Sequence, residues 1–184
     1  MSNVWFCSDL HLGHKNIGKF RAPLVNSEEE NNTRILNDWK KHVTKRDVVF
    51  VLGDFCFDKE LFDTLDLPGY KKYLIRGNHD RFQTSQYLTF FDEVEGLFKY
   101  KGMWLSHPPI HPDELRGKPN VHGHTHHHTI KTEMQSLFIS TFVEDHRYLN
   151  ICPEQLWPKY GRCFISLDEI RQHFSDWCRG YLHW

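Results

Sequence analysis

Residues 9–16, Asp-Leu-His-Leu-Gly-His-Lys-Asn, lie just past the apolar run Asn-Val-Trp-Phe-Cys at 3–7. A carboxylate and an imidazole two positions apart where a strand ends can close on one metal ion, because side chains at i and i+2 of an extended chain point the same way. A turn-capping Asp beside a bystander His has the same spelling, so Asp9 and His11 alone decide nothing. The arrangement recurs, however. "VVFVLG" leads into Asp54, "YLIRG" into Asn78, His79 and Asp80, "MWLS" into His107, and "NVHG" into His124 and His126. Sheets with helices on their faces gather ligands at the carboxyl ends of their strands, so these groups would meet. Gly53, Gly77 and Gly123 each stand directly before a candidate ligand, where a missing side chain permits a sharp turn and close backbone approach.

The elements that would position these residues are legible in outline. Residues 3–7 predict a buried strand, short, apolar and bounded by polar residues. Residues 27–43 predict a helix: Ser27 and Glu30 form a capping box, acids lead, and Lys40, Lys41 and His42 close it. Further strands are expected within 47–54 and 71–80, with a short helix over 58–66 and a Pro68-Gly69 break between them. "EVEGLFKY" and "GMWLSH" around Lys101-Gly102 suggest antiparallel pairing. Residues 119–124, 147–152 and 162–166 look like further strands, and a last helix, opening at Ser166 or Leu167 with Asp168 and Glu169, runs to about Trp177. Residues 129–146 lack a clear period and read as an irregular excursion.

The 184 residues suit one domain, 1–184, with a single core. A net charge of −1 with 26% charged residues offers no overall basic field to hold long nucleic acid, so phosphate chemistry would have to be local. No apolar stretch reaches the roughly 20 residues of a membrane span and no secretory signal opens the chain, which points to the cytoplasm. Five cysteines, none in a C-x-x-C pair, read as free thiols.

Taken in order, Asp9-x-His11, Gly53-Asp54, Gly77-Asn78-His79-Asp80, His107 and Gly123-His124-Thr125-His126 resemble the signature of the calcineurin-like metallophosphoesterases. Each block is weak alone, whereas the ordered set, spanning residues 9–126, is specific. The resemblance implies an α/β fold, a four-layer α/β sandwich of mixed sheets flanked by helices, with a dinuclear metal centre at the strand ends. It implies Asp9, His11, Asp54 and His126 on one ion and Asp54, Asn78, His107 and His124 on the other, with Asp54 bridging. His79 would be a general acid whose tautomer Asp80 holds, and a metal-bridging hydroxide would attack phosphorus in line. The nitrogen and oxygen donors suit Mn²⁺, with Fe, Zn²⁺ or Ni²⁺ as alternatives.

One departure matters. Relatives often continue the second block as G-D-x-x-D-R, but here it runs Gly-Asp-Phe-Cys-Phe-Asp, with Asp58 one position late and no arginine behind it. That argues against a phosphoprotein phosphatase. Arg81 could substitute, or be a surface residue. His14, Lys15 and Asn16 share the loop of the first ligands and could touch substrate. Alternation from His124 would aim His128 with the ligands and His127 away, and with the ligand set complete both read as spectators; His111 and His122 have no assigned part. The expected activity is hydrolysis of a small, nucleotide-like phosphate mono- or diester, with no membrane or protein partner implied. The alternatives are a nuclease of the same fold, which would need a basic stripe, and a non-catalytic scaffold, in which His79 would have no purpose.

Overall fold

The computed structural model describes residues 2–135 and 140–181, with side chains over 2–134 and 140–175. In chain order the first half holds β1 (Val4–Cys7), α1 (Ile17–Arg21), α2 (Glu28–His42), β2 (Val48–Val51), α3 (Lys59–Asp63), β3 (Lys71–Ile75), α4 (Thr84–Tyr87) and β4 (Glu93–Glu95). The second holds β5 (Leu97–Tyr100), β6 (Met103–Ser106), β7 (Asn120–His122), β8 (Lys131–Gln135), β9 (Ser140–Glu144), β10 (Tyr148–Asn150), α5 (Pro153–Tyr160), β11 (Ile165–Ser166) and α6 (Leu167–Tyr181).

Two mixed sheets carry the fold. One has the order β11-β1-β2-β3-β4, parallel except for β11; the other has the order β10-β7-β6-β5, parallel except for β5. Alternation along the strands sends side chains to two cores in place of the single one expected. Cys7, Val49, Val51 and Leu74 pack against Ile35 and Trp39 of α2 and Phe62 of α3. Phe6, Phe50, Leu52 and Ile75 face Met103, Leu105 and Val121 of the second sheet, together with Ile170 and Phe174 of α6. Burial on both faces explains the unbroken apolar runs of β1 and β2. These flanked sheets are the α/β sandwich expected from the sequence.

The long helix forms as its sequence prescribes. The Ser27 hydroxyl accepts from Glu30 N–H at 3.0 Å, and the Glu30 carboxylate turns back to Asn26 N–H at 2.8 Å, one residue outside the expected box. Asn31, Ile35 and Trp39, four apart, form its buried stripe.

Two further expectations are corrected. "EVEGLFKY" is not one strand: β4 pairs with β3 in the first sheet and β5 with β6 in the second, so the chain changes sheet at Gly96. Residues 129–146 are not irregular, for β8 and β9 form an antiparallel hairpin. It joins neither main sheet and leaves Met134 and Phe142 exposed, so no buried face imposed the alternation that would have announced it. The short α1 and α4, and α5 with Pro153 at its first position and left-handed Gly161 at its end, were also missed. Cys7, Cys56, Cys152 and Cys163 are free and buried, while Cys178 lies outside the described side chains. No helix among the described residues is long and apolar enough to cross a membrane.

Candidate functional site

Past the ends of β1 and β2 the two chains stay joined: Asp9 N–H donates to Gly53 O at 2.9 Å, His11 N–H to Asp54 O at 3.0 Å and Leu12 N–H to Phe55 O at 3.0 Å. Within this ladder Asp9, His11 and Asp54 adopt φ of 51°, 50° and 53°, and on the loop after β7 His124 and His126 adopt 67° and 48°. Left-handed backbone is uncommon outside glycine, although Asp and His tolerate it better than most. Asp9 and His11 therefore converge through two left-handed turns and not through the i, i+2 geometry of an extended chain.

The side chains meet above that frame. Asp9 Oδ1 lies 3.6 Å from His11 Nε2 and 3.7 Å from His126 Nε2. Asp54 Oδ2 lies 3.7 Å from His11 Nε2 and 3.5 Å from His107 Nε2. His107 Nδ1 donates to Leu52 O at 2.8 Å, which leaves Nε2 facing Asn78 Oδ1 at 2.9 Å and His124 Nδ1 at 3.2 Å. All seven residues to which the resemblance assigns metal are thus brought together. Asp9, His11 and Asp54 form one group that could hold an ion, and Asp9, His126 and Cys152 another.

The donor set fits a divalent cation. Asp9 Oδ1 and both ring nitrogens of His11 are buried without a hydrogen-bond partner, a costly state for polar atoms that a cation would relieve. Carboxylate oxygens, imidazoles and an amide oxygen suit a hard or borderline ion. Burial pushes the Asp9 carboxyl up, yet contact with His11 and the positive field of His107 and His126 hold it far below the usual carboxylate range. Burial pushes the His11 ring down, against the pull of the Asp9 carboxylate. At His107 burial opposes charge too, but the Asp54 and Asp9 carboxylates prevail and its pKa is pushed up to about 9.

Behind the ligands stands a layer that sequence reasoning missed. Glu154, on α5, accepts from His126 Nδ1 at 3.0 Å and from Arg21 Nε at 2.8 Å. Arg21, wholly buried at the end of α1, also donates to Asn31 Oδ1 at 2.7 Å and to the backbone oxygen of Asp9 at 2.6 Å. The second Asp9 oxygen, Oδ2, accepts from His124 N–H at 2.8 Å and from the Ser8 hydroxyl, with Cys152 Sγ at 3.1 Å. Burial and the Asp9 charge push the Cys152 thiol far up, and its Sγ donates to Asp9 Oδ2. Two glycines make room: a Cβ on Gly123 would collide with Ser8 Oγ and Asp9 Oδ2, and one on Gly77 with Asp54 Oδ1.

His79 stands beside the cluster, its N–H donating to Asp54 Oδ1 at 2.9 Å and its ring 5.3 Å from Phe57. Its Nδ1 is buried without a partner, so Asp80 does not hold its tautomer. The Asp80 carboxylate is engaged elsewhere: it accepts from the N–H groups of Asp54 at 2.8 Å, Phe55 at 2.9 Å and Gly77 at 2.8 Å, tying the second ligand loop to the third. The loop turn that carries Asp80 points it into the floor, away from the imidazole.

An open cleft of about 560 Å³ lies over the cluster, bordered by His11, His14, Phe20, His79, His127 and His128. His127 and His128 line it together, where alternation from His124 would have sent them opposite ways. The turn that closes with His128 N–H on Thr125 O at 2.8 Å replaces the extended geometry that alternation assumed. Lys15, Asn16 and Arg81 are exposed, His111 is at the surface beside a 3₁₀ turn, and His122 is buried in β7.

The profile described as calcineurin-like phosphoesterase matches residues 2–176. The gene 66 protein of Mycobacterium phage L5 is 32% identical over an alignment covering 68% of this chain and 78% of that protein. Protein MJ1445 of Methanocaldococcus jannaschii is 38% identical, covering 45% of this chain and 49% of its own. Among solved structures, the protein of unknown function AQ665 from Aquifex aeolicus superposes with a TM-score of 0.64 at 24% identity, over 94% of this chain and 99% of that one, which speaks to the fold alone. With the family profile spanning nearly the whole chain over a fold and an Asp/His cluster of this kind, the chain belongs to the calcineurin-like phosphoesterases, a family of metal-dependent phosphoester hydrolases.

Proposed function

We propose that the protein hydrolyses a small, nucleotide-like phosphate mono- or diester at a pair of divalent ions. The observation that carries this reading is Asp54 Oδ2, which faces His11 Nε2 at 3.7 Å on one side and His107 Nε2 at 3.5 Å on the other. Asp9, His11, Asp54 and His126 would hold one ion and Asp54, Asn78, His107 and His124 the second, Mn²⁺ in the first instance, with Fe, Zn²⁺ or Ni²⁺ as alternatives. Divalent ions there would supply positive charge for the phosphate oxygens and acidify a water enough to serve as nucleophile in an in-line displacement.

The remaining work falls to the chain itself. His79, at the cleft and outside both ligand sets, donates a proton to the leaving-group oxygen. Asp80 is a positioning residue: it fixes the backbone that carries Asp54 and His79. Phe57, against whose ring both His11 and His79 pack at 5.0 and 5.3 Å, restrains the two imidazoles and excludes water behind them.

Two variants test this assignment. Asp54→Asn should lose bound Mn²⁺ and activity together. His79→Ala should keep close to the wild-type metal content while its rate falls about 10²–10⁴-fold, and by less for a nitrophenyl ester, whose leaving group departs unprotonated. Elemental analysis beside rates on an alkyl and a nitrophenyl ester reads all three. Metal loss in His79→Ala as severe as in Asp54→Asn would remove the general acid, and full turnover by chelator-stripped protein would remove the metal reading altogether.

A further inference from the structure

One feature of the cleft plays no part in metal binding or proton transfer. Phe20, on α1, leaves 67% of its surface exposed although it borders the cleft. A lone exposed phenylalanine is ordinary; this one is the outermost member of a run of rings that begins at the metal cluster. His11 lies 5.6 Å from His14, centroid to centroid, and His14 meets Phe20 at 5.8 Å with an interplanar angle of 78°. His14 also meets Phe57, at 4.7 Å and 78°, so two phenyl rings pack against the imidazole.

The helix that presents Phe20 is fixed as well. Its flanking residues Ile17 and Arg21 are 1% and 0% exposed, and Arg21 is tied to Glu154, Asn31 and the backbone of Asp9. Phe20 is therefore a rigidly carried aromatic face opening onto the cleft, two ring-to-ring steps from His11. His127 and His128, both exposed, line the same cleft and offer further ring faces and hydrogen-bonding nitrogens.

We infer that Phe20, braced by His14, is the platform on which a nucleobase of the substrate stacks while its phosphate lies at the Asp/His cluster. This rests on the phosphoesterase reading and specifies what the leaving or retained group looks like: a planar heterocycle joined to phosphate through a sugar. Stacking tolerates any base because every base has a π-face, so selectivity falls between base-bearing and base-free esters and not among bases.

The test compares adenosine 5′-monophosphate with ribose 5-phosphate, and the methyl diester of each, using Mn²⁺-loaded protein. Binding of adenosine 5′-monophosphate is followed separately by calorimetry. The wild type should prefer the base-bearing ester. Phe20→Ala should lower that preference about tenfold, chiefly through KM, and weaken nucleotide binding by a similar factor, within what loss of one aromatic–base stack costs. Phe20→Trp should restore both. Leu88→Ala, which removes another exposed apolar side chain away from the cleft, should alter neither. A wild type indifferent to the base, a preference unchanged in Phe20→Ala, or an equal loss in Leu88→Ala would overturn the platform. Phe20-dependent nucleotide binding by a protein that hydrolyses none of the esters would instead uphold the platform and overturn the hydrolytic reading.

Discussion

Asp80 organises the site without facing metal or substrate. Three backbone N–H groups from two loops converge on its carboxylate, which burial pushes upward in pKa against the pull of those donors. Asp80→Asn keeps the shape but replaces one acceptor oxygen with an NH₂ that must face a donor. The expected cost is about 1–3 kcal/mol, a fall in melting temperature of roughly 2–12 °C for a chain of this size, with reduced metal content because Asp54 loses its anchor. Thermal melts and elemental analysis read the two effects, and an unchanged melting temperature would mean that the three bonds contribute nothing. The seven cluster residues and His79 were legible because each follows a strand and belongs to a block of a recognisable order. Arg21, Glu154, Asn31 and Cys152 were not. Arg21 and Glu154 are 133 positions apart, so neither local pattern nor spacing could pair them. The one signal available was two ionisable residues in segments too apolar to leave them solvated.

Short strands feed the site, and the loops between them do the positioning. The junction of β7 with its ligand loop is the tightest point, since Gly123 lies where any side chain would press on Ser8 Oγ and Asp9 Oδ2. Gly123→Ala should therefore displace Asp9, the residue shared by both three-donor groups. We expect destabilisation of about 1–3 kcal/mol, the usual cost of overpacking, together with loss of at least one bound ion. Urea unfolding with and without Mn²⁺ checks it; a variant as stable as the wild type and fully loaded would show that the loop yields. Elements with a buried face, β1, β2, β3, β6, β7 and α2, could be read from apolar runs and caps. The β8–β9 hairpin could not, having no buried face to impose a period, nor could the strand switch at Gly96, where the apolar pattern runs on while the partner strand changes.

Across the molecule, unfavourable terms are concentrated in one place. Five of the seven cluster residues hold left-handed backbone, and the buried Asp9 and Asp54 carboxylates lie close to the same imidazole. A non-glycine residue in that region costs roughly 1–2 kcal/mol, so the metal-free fold carries a deficit that bound ions offset by mass action. His124 isolates the backbone share of it, being exposed, at φ 67° and engaged through its N–H with Asp9. His124→Gly keeps that N–H and relieves the strain. The chelator-stripped variant should melt about 2–4 °C above the stripped wild type, the shift that about 1 kcal/mol produces here, while gaining less on addition of Mn²⁺. A stripped variant that melts lower would show that the left-handed turn costs nothing in this fold.

The placement of that strain reaches beyond catalysis to the time a molecule survives. The cluster loops cap β1, β2 and β7, strands central to the two sheets, so relief at the cluster is relief where the whole fold is held. Proteases act on the opened form, whose population rises about tenfold for each 1.4 kcal/mol of stability lost. We therefore expect a chain made when divalent ions are scarce to be cleared sooner than one made when they are plentiful, so that the abundance of the protein would follow the supply of the ion its chemistry needs.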